Sequence, residues 1–230
     1  MRTVSLLMAA AAASFLYADE VLFLDDFSSG YLEDNWIFYG DPLPEVIDTL
    51  GLPPPSFHNN GDTMWGSGVI SRRQFDISDG LVMECDMFLS CDERGTWVSA
   101  TMGLVTPDFR NEQDGGESRI AELNYSYNGE LAWMRPHLQG LLRFVACVDG
   151  RTGRSCVQMY HQNQLLDGWH RYTIEICTDR SVNYYIDDSL YCRFPQPIPD
   201  TVRTVRLQLG NQSSDWGTAL HDNLTVRVQR

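Results

Sequence analysis

The sequence predicts an all-β fold in which two antiparallel sheets stack as a sandwich, and three observations carry the prediction. From Gly68 onward, short runs rich in β-branched and aromatic residues recur with turn residues between them, the spacing of a sandwich or barrel. Several runs alternate strictly: in Tyr172-Thr173-Ile174-Glu175-Ile176-Cys177, Tyr172, Ile174 and Ile176 share one face and Thr173 and Glu175 the other, so one face is buried and one wet. No segment holds a helical period for more than a turn or two.

Taken in order, Met1 to Ala18 carry a positive charge at Arg2, an alanine-rich apolar run from Val4 to Phe15, and Leu16-Tyr17-Ala18 ahead of Asp19-Glu20. That is the layout of a secretory signal peptide. The expected domain is therefore residues 19–230, a single unit of 212 residues exported to the cell exterior or periplasm. Val21 to Leu24 opens a strand, broken by Ser28-Ser29-Gly30, and Trp36 to Tyr39 forms a second apolar patch. Residues 40–60, with five prolines and Asn59-Asn60-Gly61, read as a Pro-rich loop holding one short edge strand at most. Further strands are expected at Gly68–Ser71, Leu81–Leu89, Trp97–Val105, Arg119–Tyr127, Leu131–Met134, Leu142–Val148, Cys156–Tyr160, Tyr172–Cys177, Val182–Ile186, Leu190–Phe194, Val202–Leu209 and Leu224–Val228. Asp187-Asp188 reads as a tight hairpin turn.

The formal charge of −14 argues against a nucleic-acid partner and against attraction to anionic lipid. No later segment reaches the roughly 18 consecutive apolar residues of a membrane span, so no stable membrane insertion is expected. All six cysteines lie after residue 18, an even count suited to disulfides in an oxidising compartment. Cys147 and Cys156 are equidistant from the centre of Asp149 to Arg154, so a hairpin turning there would bring them face to face. Cys85, Cys91, Cys177 and Cys192 leave three pairings open, or none.

Several segments together resemble the concanavalin A-like lectin and glucanase superfamily, which includes legume lectins, laminin G-like modules and laminarinase-type hydrolases. Leu22-Phe23-Leu24-Asp25-Asp26-Phe27 followed by Trp36 is similar to the opening strand of many bacterial members, and Phe75-Asp76-Ile77 leading to Gly80-Leu81-Val82-Met83-Glu84-Cys85-Asp86 to the strand after it. The most specific match is the tail: Gly168-Trp169-His170-Arg171-Tyr172, the Tyr184 to Tyr191 hairpin, and His221-Asp222-Asn223-Leu224-Thr225-Val226. The resemblance implies a jelly roll that holds extended sugars on one sheet through aromatic platforms and polar side chains. It also implies a structural calcium ion near the final strand, with Asp222 as its best match and Asp25 and Asp26 as further oxygen donors.

The hydrolases of this group carry their carboxylates on one strand as Glu-x-Asp-x-(x)-Glu, alternate positions supplying nucleophile and acid/base. The nearest match is Glu84-Cys85-Asp86-Met87-Phe88-Leu89, where the third carboxylate is missing, so Glu84 and Asp86 read as solvent-facing strand residues. Glu117 with Glu122 and Asp187 with Asp188 lack a spacing that singles them out. No nucleophile elbow, His-Glu-x-x-His helix, Cys-x-x-Cys pair or phosphate-binding glycine loop is present, and the five histidines are scattered. Trp36 and Trp169 lie in apolar strand patterns and read as core. Trp65 and Trp216, flanked by loop residues, are the leading sugar platforms, followed by Trp133, Tyr125 and Tyr127. The reading is an exported, non-catalytic polysaccharide-binding jelly roll. The alternatives are a laminarinase-like hydrolase with carboxylates on other strands, marked by two carboxyl groups across a groove, and a laminin G-like protein-interaction module, marked by a flat apolar patch.

Overall fold

Alternating apolar residues drive extended segments to bury one face each, and two such layers form the core. The computed structural model describes residues 19–41, 43–58, 67–91, 98–110, 119–127, 140–146, 155–161, 168–212 and 217–228. Sheet A runs in the order β14 (Ser189–Phe194), β13 (Val182–Ile186), β12 (Gly168–Ile176), β7 (Leu81–Cys91), β16 (Gly217–Val228), β4 (Ser56–His58) and β3 (Glu45–Ile47), with β1 (Glu20–Asp25) also paired to β16. Sheet B runs β11 (Ser155–His161), β10 (Gly140–Ala146), β9 (Arg119–Tyr127), β8 (Val98–Val105), β15 (Thr204–Gln212), β5 (Ser67–Ser71) and β2 (Trp36–Tyr39), with β6 (Phe75–Asp76) paired to β15. Every pairing is antiparallel. Between the sheets, Met83, Cys85, Met87, Tyr172, Ile174 and Ile176 of sheet A meet Ala100, Met102, Leu104, Leu207 and Leu209 of sheet B, all buried.

Trp36 is a core residue, as its setting predicts, and its indole Nε1 donates to Asp25 Oδ2 at 2.8 Å. Trp169 is not. It is half-buried on the outer face of sheet A against Phe88, ring centroids 5.6 Å apart. The alternation that turns Tyr172, Ile174 and Ile176 inward turns position 169 outward. The Asp187-Asp188 turn is as expected: both residues have positive φ, 48° and 62°, the backbone of a two-residue hairpin whose twist matches its strands.

Two elements differ from the sequence reading. The Pro-rich region contributes two strands, β3 and β4, rather than one at most. The last strand begins at Gly217 rather than Leu224 because a bulge between Asp222 and Thr225, with Asn223 at φ 50°, shifts its alternation by one residue. Ala219 and His221 face inward before the bulge, Leu224 and Val226 after it, and an odd step of this kind hides a strand from a period-two reading.

Cys85, Cys177 and Cys192 are free thiols, Cys85 and Cys192 buried and Cys177 half-buried. Cys85 Sγ donates to the carbonyl oxygens of Asp222 (3.4 Å) and Asp86 (3.5 Å), and burial pushes its pKa well up. On β10 and β11 the register sets Cys156 opposite Val145. Cys147 lies outside the described residues, so its expected bridge to Cys156 does too.

Candidate functional site

The outer face of sheet B carries a polar floor that sequence reading passed over. Its register lines up Ile70, Gln208, Gly103, Glu122 and Val145 as one row across five strands, and Gly68, Gly210, Thr101, Asn124 and Arg143 as the next. Their chain neighbours Leu209, Met102, Leu123 and Phe144 are core, so these positions face the opposite way.

Glycine lets the floor pack closely. A Cβ on Gly103 would lie 3.2 Å from Gln208 Oε1 and 3.2 Å from the Ala121 carbonyl, and a Cβ on Gly68 would lie 2.5 Å from the Tyr39 hydroxyl. The side chains of Gln208 and Tyr39 occupy that space, Gln208 Nε2 donating to Tyr39 Oη at 2.8 Å. Beyond Gly103 stands Glu122, only 1% exposed, with its Oε2 2.7 Å from Arg119 Nε. One row along, Asn124 Nδ2 donates to Thr101 Oγ1 at 2.6 Å. From behind, His221 of sheet A crosses the core to Thr101, Nε2–H donating to the backbone carbonyl at 3.1 Å. Full burial drops the His221 pKa to about 4, so the ring is neutral at pH 7 and carries its proton on Nε2. At the far end of the face, Tyr39, Ile70, Val105 and Phe109 close into a small apolar cluster.

Taking a carboxylate out of water costs several kcal/mol by order of magnitude, and an ion pair offsets this only in part. Apolar residues in Glu122's place would serve the fold as well. A buried charge on the outer face of a sheet, among amide and hydroxyl groups, is thus a candidate site.

The other expected site residues fall elsewhere. Trp65, Trp133 and Trp216 lie outside the described residues. Tyr125 is no sugar platform: it is 1% exposed in the core, since it shares the parity of Leu123. Tyr127 pairs through its backbone with Val98, itself a core position. Glu84 and Asp86 are on the outer face of sheet A, but neither stands free in solvent: Asp86 is buried beside Arg171 (Nε–Oδ1 3.2 Å) and half-buried Glu84 meets Arg227 (3.1 Å).

The signal missed lies on β9, where Glu122-Leu123-Asn124-Tyr125-Ser126 repeats the Glu-x-Asp-x-Glu spacing with an amide and a hydroxyl in the second and third places. A search for carboxylates alone passes over it.

The carboxylates expected for calcium are engaged locally. Asp25 accepts from Phe27 N (2.9 Å), Asn35 Nδ2 (3.2 Å) and Trp36 Nε1, and Asp26 from the Ser28 amide and hydroxyl. Asp222 Oδ2 accepts from Leu52 N at 2.6 Å and Oδ1 from Asn223 N at 2.7 Å, while desolvation raises its pKa. Among the described residues no three His, Cys, Asp or Glu side chains gather where a metal could be held. The Leu52 contact also places this part of the Pro-rich loop on sheet A.

No family model matches the sequence, and no curated protein does either. Solved structures match over nearly the whole length. The β-glucanase of Bacillus licheniformis superposes with a TM-score of 0.57 at 13% identity, covering 90% of this chain and 98% of that one. The globular domain of Trypanosoma cruzi calreticulin gives 0.62 at 11% identity over 92% and 89%. The carbohydrate recognition domain of Emp47p gives 0.58 at 10% identity over 90% and 94%. At such identities the likeness is one of architecture, and the chain has the concanavalin A-like jelly-roll fold.

Proposed function

We propose that this chain is an exported carbohydrate-binding protein that lays a polysaccharide along the outer face of sheet B without cleaving it. The observation that carries the reading is the polar floor itself: Tyr39, Gln208, Thr101 and Asn124 linked by short hydrogen bonds around one buried carboxylate. Hydroxyl-rich ligands are held by such fixed, preorganised donors and acceptors. The structural neighbours include a lichenase and a β-agarase from Zobellia galactanivorans, proteins named for polysaccharides they act on, and a domain named for carbohydrate recognition.

Glycoside hydrolysis, retaining or inverting, uses two carboxyl groups across the scissile bond. Among the described residues of this face Glu122 is the one carboxylate, and positions 124 and 126 bear an amide and a hydroxyl. The strand therefore supports binding over turnover.

The test is retention of the purified protein on a panel of polysaccharides, with a reducing-end assay run alongside. Retention on at least one of them, about tenfold weakened by Asn124→Ala through loss of one or two hydrogen bonds, and no new reducing ends, is the expected result. A blank panel with calcium present would overturn the binding role. Reducing ends that vanish in Glu122→Gln would establish a hydrolase instead.

A further inference from the structure

Resting on that reading of the sheet B face, we infer that the polysaccharide it takes is anionic, a chain bearing uronate or sulfate groups. The whole protein is strongly acidic, with a formal charge of −14, which by itself would repel such a ligand. Its charge is not evenly spread. On the outer face of sheet A, guanidinium groups are matched by carboxylates: Arg171 with Asp86 at 3.2 Å, and Arg227 with both Glu84 and Asp19.

On the outer face of sheet B the balance reverses. The row next to Glu122 reads Arg206, Val105, Arg119 across three adjacent strands, so two arginines flank the floor against one described carboxylate. Glu122 is committed to Arg119. Arg206, half-buried, has no ion pair among the described residues; it gives Nη1 to the Ser71 carbonyl at 2.9 Å and holds Nε buried without a hydrogen-bond partner.

A guanidinium partly withdrawn from water with a donor unspent costs stability. A carboxylate or sulfate ester on the ligand would offset that cost by pairing with the half-buried guanidinium, whose planar fork suits both anions. Adjacent strands lie about 4.8 Å apart, which puts Arg206 and Arg119 roughly 10 Å from each other. A charged sugar can therefore pair with Arg206 while its neighbours' hydroxyls meet Asn124 and Thr101, with Arg119 held by Glu122.

The experiment compares retention of the full chain on polygalacturonate and dextran sulfate with retention on dextran and mixed-linkage β-glucan, with duplex DNA as a competing polyanion. The expected result is binding to one or both charged polysaccharides and not to the neutral ones. It should weaken about tenfold in Arg206→Gln, the loss of one charge-assisted contact, and remain unchanged in Arg171→Gln on the opposite sheet. Arg206→Lys keeps a cation and a donor for the Ser71 carbonyl, and should restore most of the affinity.

Equal retention on neutral glycan, with Arg206→Gln silent, would overturn the anionic class while leaving the carbohydrate-binding role intact. Absence of binding to every polysaccharide would remove both. Equally tight capture of DNA would reduce the effect to polyanion attraction and overturn the inference. So would loss of binding in Arg206→Gln and Arg206→Lys together with a lowered melting temperature, which would make Arg206 a structural residue.

Discussion

Replacing His221 with glutamine should remove a block of acid sensitivity from the fold. The imidazole is fully buried between the sheets, packed against Phe57 with ring centroids 5.4 Å apart, and its neutral form donates to Thr101. Burial lowers its pKa from 6.5 to about 4, so between these values the unfolded chain binds a proton that the folded one refuses. Stability then rises with pH across that window: the His221 contribution is complete above about pH 6.5 and is lost as pH falls toward 4. At about 1.4 kcal/mol per unit of pKa difference, the loss is of order 3 kcal/mol. Asp222, next in the chain, has the opposite sign, because its raised pKa makes the folded state the better proton binder. Subtracting the variant's profile from that of the wild type cancels this term. Glutamine does not titrate, and its amide can still donate to the Thr101 carbonyl. The assay is urea unfolding at half-unit steps from pH 4 to pH 7, read as midpoint and slope. Parallel curves for wild type and His221→Gln would refute the reasoning, for they would mean that the buried ring is protonated as readily folded as unfolded.

Two further expectations concern the opening strand and the hairpin. Asp25→Ala strips the partners from Phe27 N, Asn35 Nδ2 and the buried Trp36 Nε1, and should destabilise by about 2–4 kcal/mol in chemical denaturation; a change within 0.5 kcal/mol would show that water replaces the carboxylate. Asp188→Gly relieves a side chain held at φ 62° and should raise the melting temperature, the gain being a few tenths to about 1 kcal/mol. A lowered melting temperature there would mean that the Asp188 side chain supports the turn.

The architecture was legible wherever one face of a strand is apolar and the other polar. Tyr172, Ile174 and Ile176 set the parity of β12, and Asp187-Asp188 marks the turn that follows. Legibility failed where a bulge interrupts the parity, at Asp222 to Thr225, and where both faces are buried. On β8 every residue from Val98 to Val105 is buried, so neither face announces itself as exterior. The site was hidden for a chemical reason as well. Its floor uses two amides, two hydroxyls and one carboxylate drawn from β2, β8, β9 and β15, which come together only through sheet register. Aromatic residues drew attention instead, yet Tyr125 packs inward because Leu123 does.

If sheet B holds the ligand, the two sheets are put to different uses, and the loop at Leu52 closes on the other one. On sheet A, the bulge at Asn223 turns that amide to donate to Leu52 O at 2.8 Å and to Asp86 Oδ2 at 3.0 Å, while Asp222 takes the Leu52 N–H. Loop, bulge and acidic pair therefore close on one another, and the polar groups of that face are consumed within the chain. On sheet B, Gln208 donates to Tyr39 and Asn124 to Thr101, bonds that hold these side chains in place. His221 braces the same floor from behind by gripping the Thr101 carbonyl, so the block of stability lost at acid pH is also a block of support for the site. A ligand that settles on this face meets donors and acceptors already ordered, and the entropy of arranging them has been met in folding rather than in binding. Mild acid should accordingly loosen glycan binding ahead of global unfolding if the floor is the site, whereas affinity that holds down to the unfolding midpoint would place the ligand elsewhere on the sandwich.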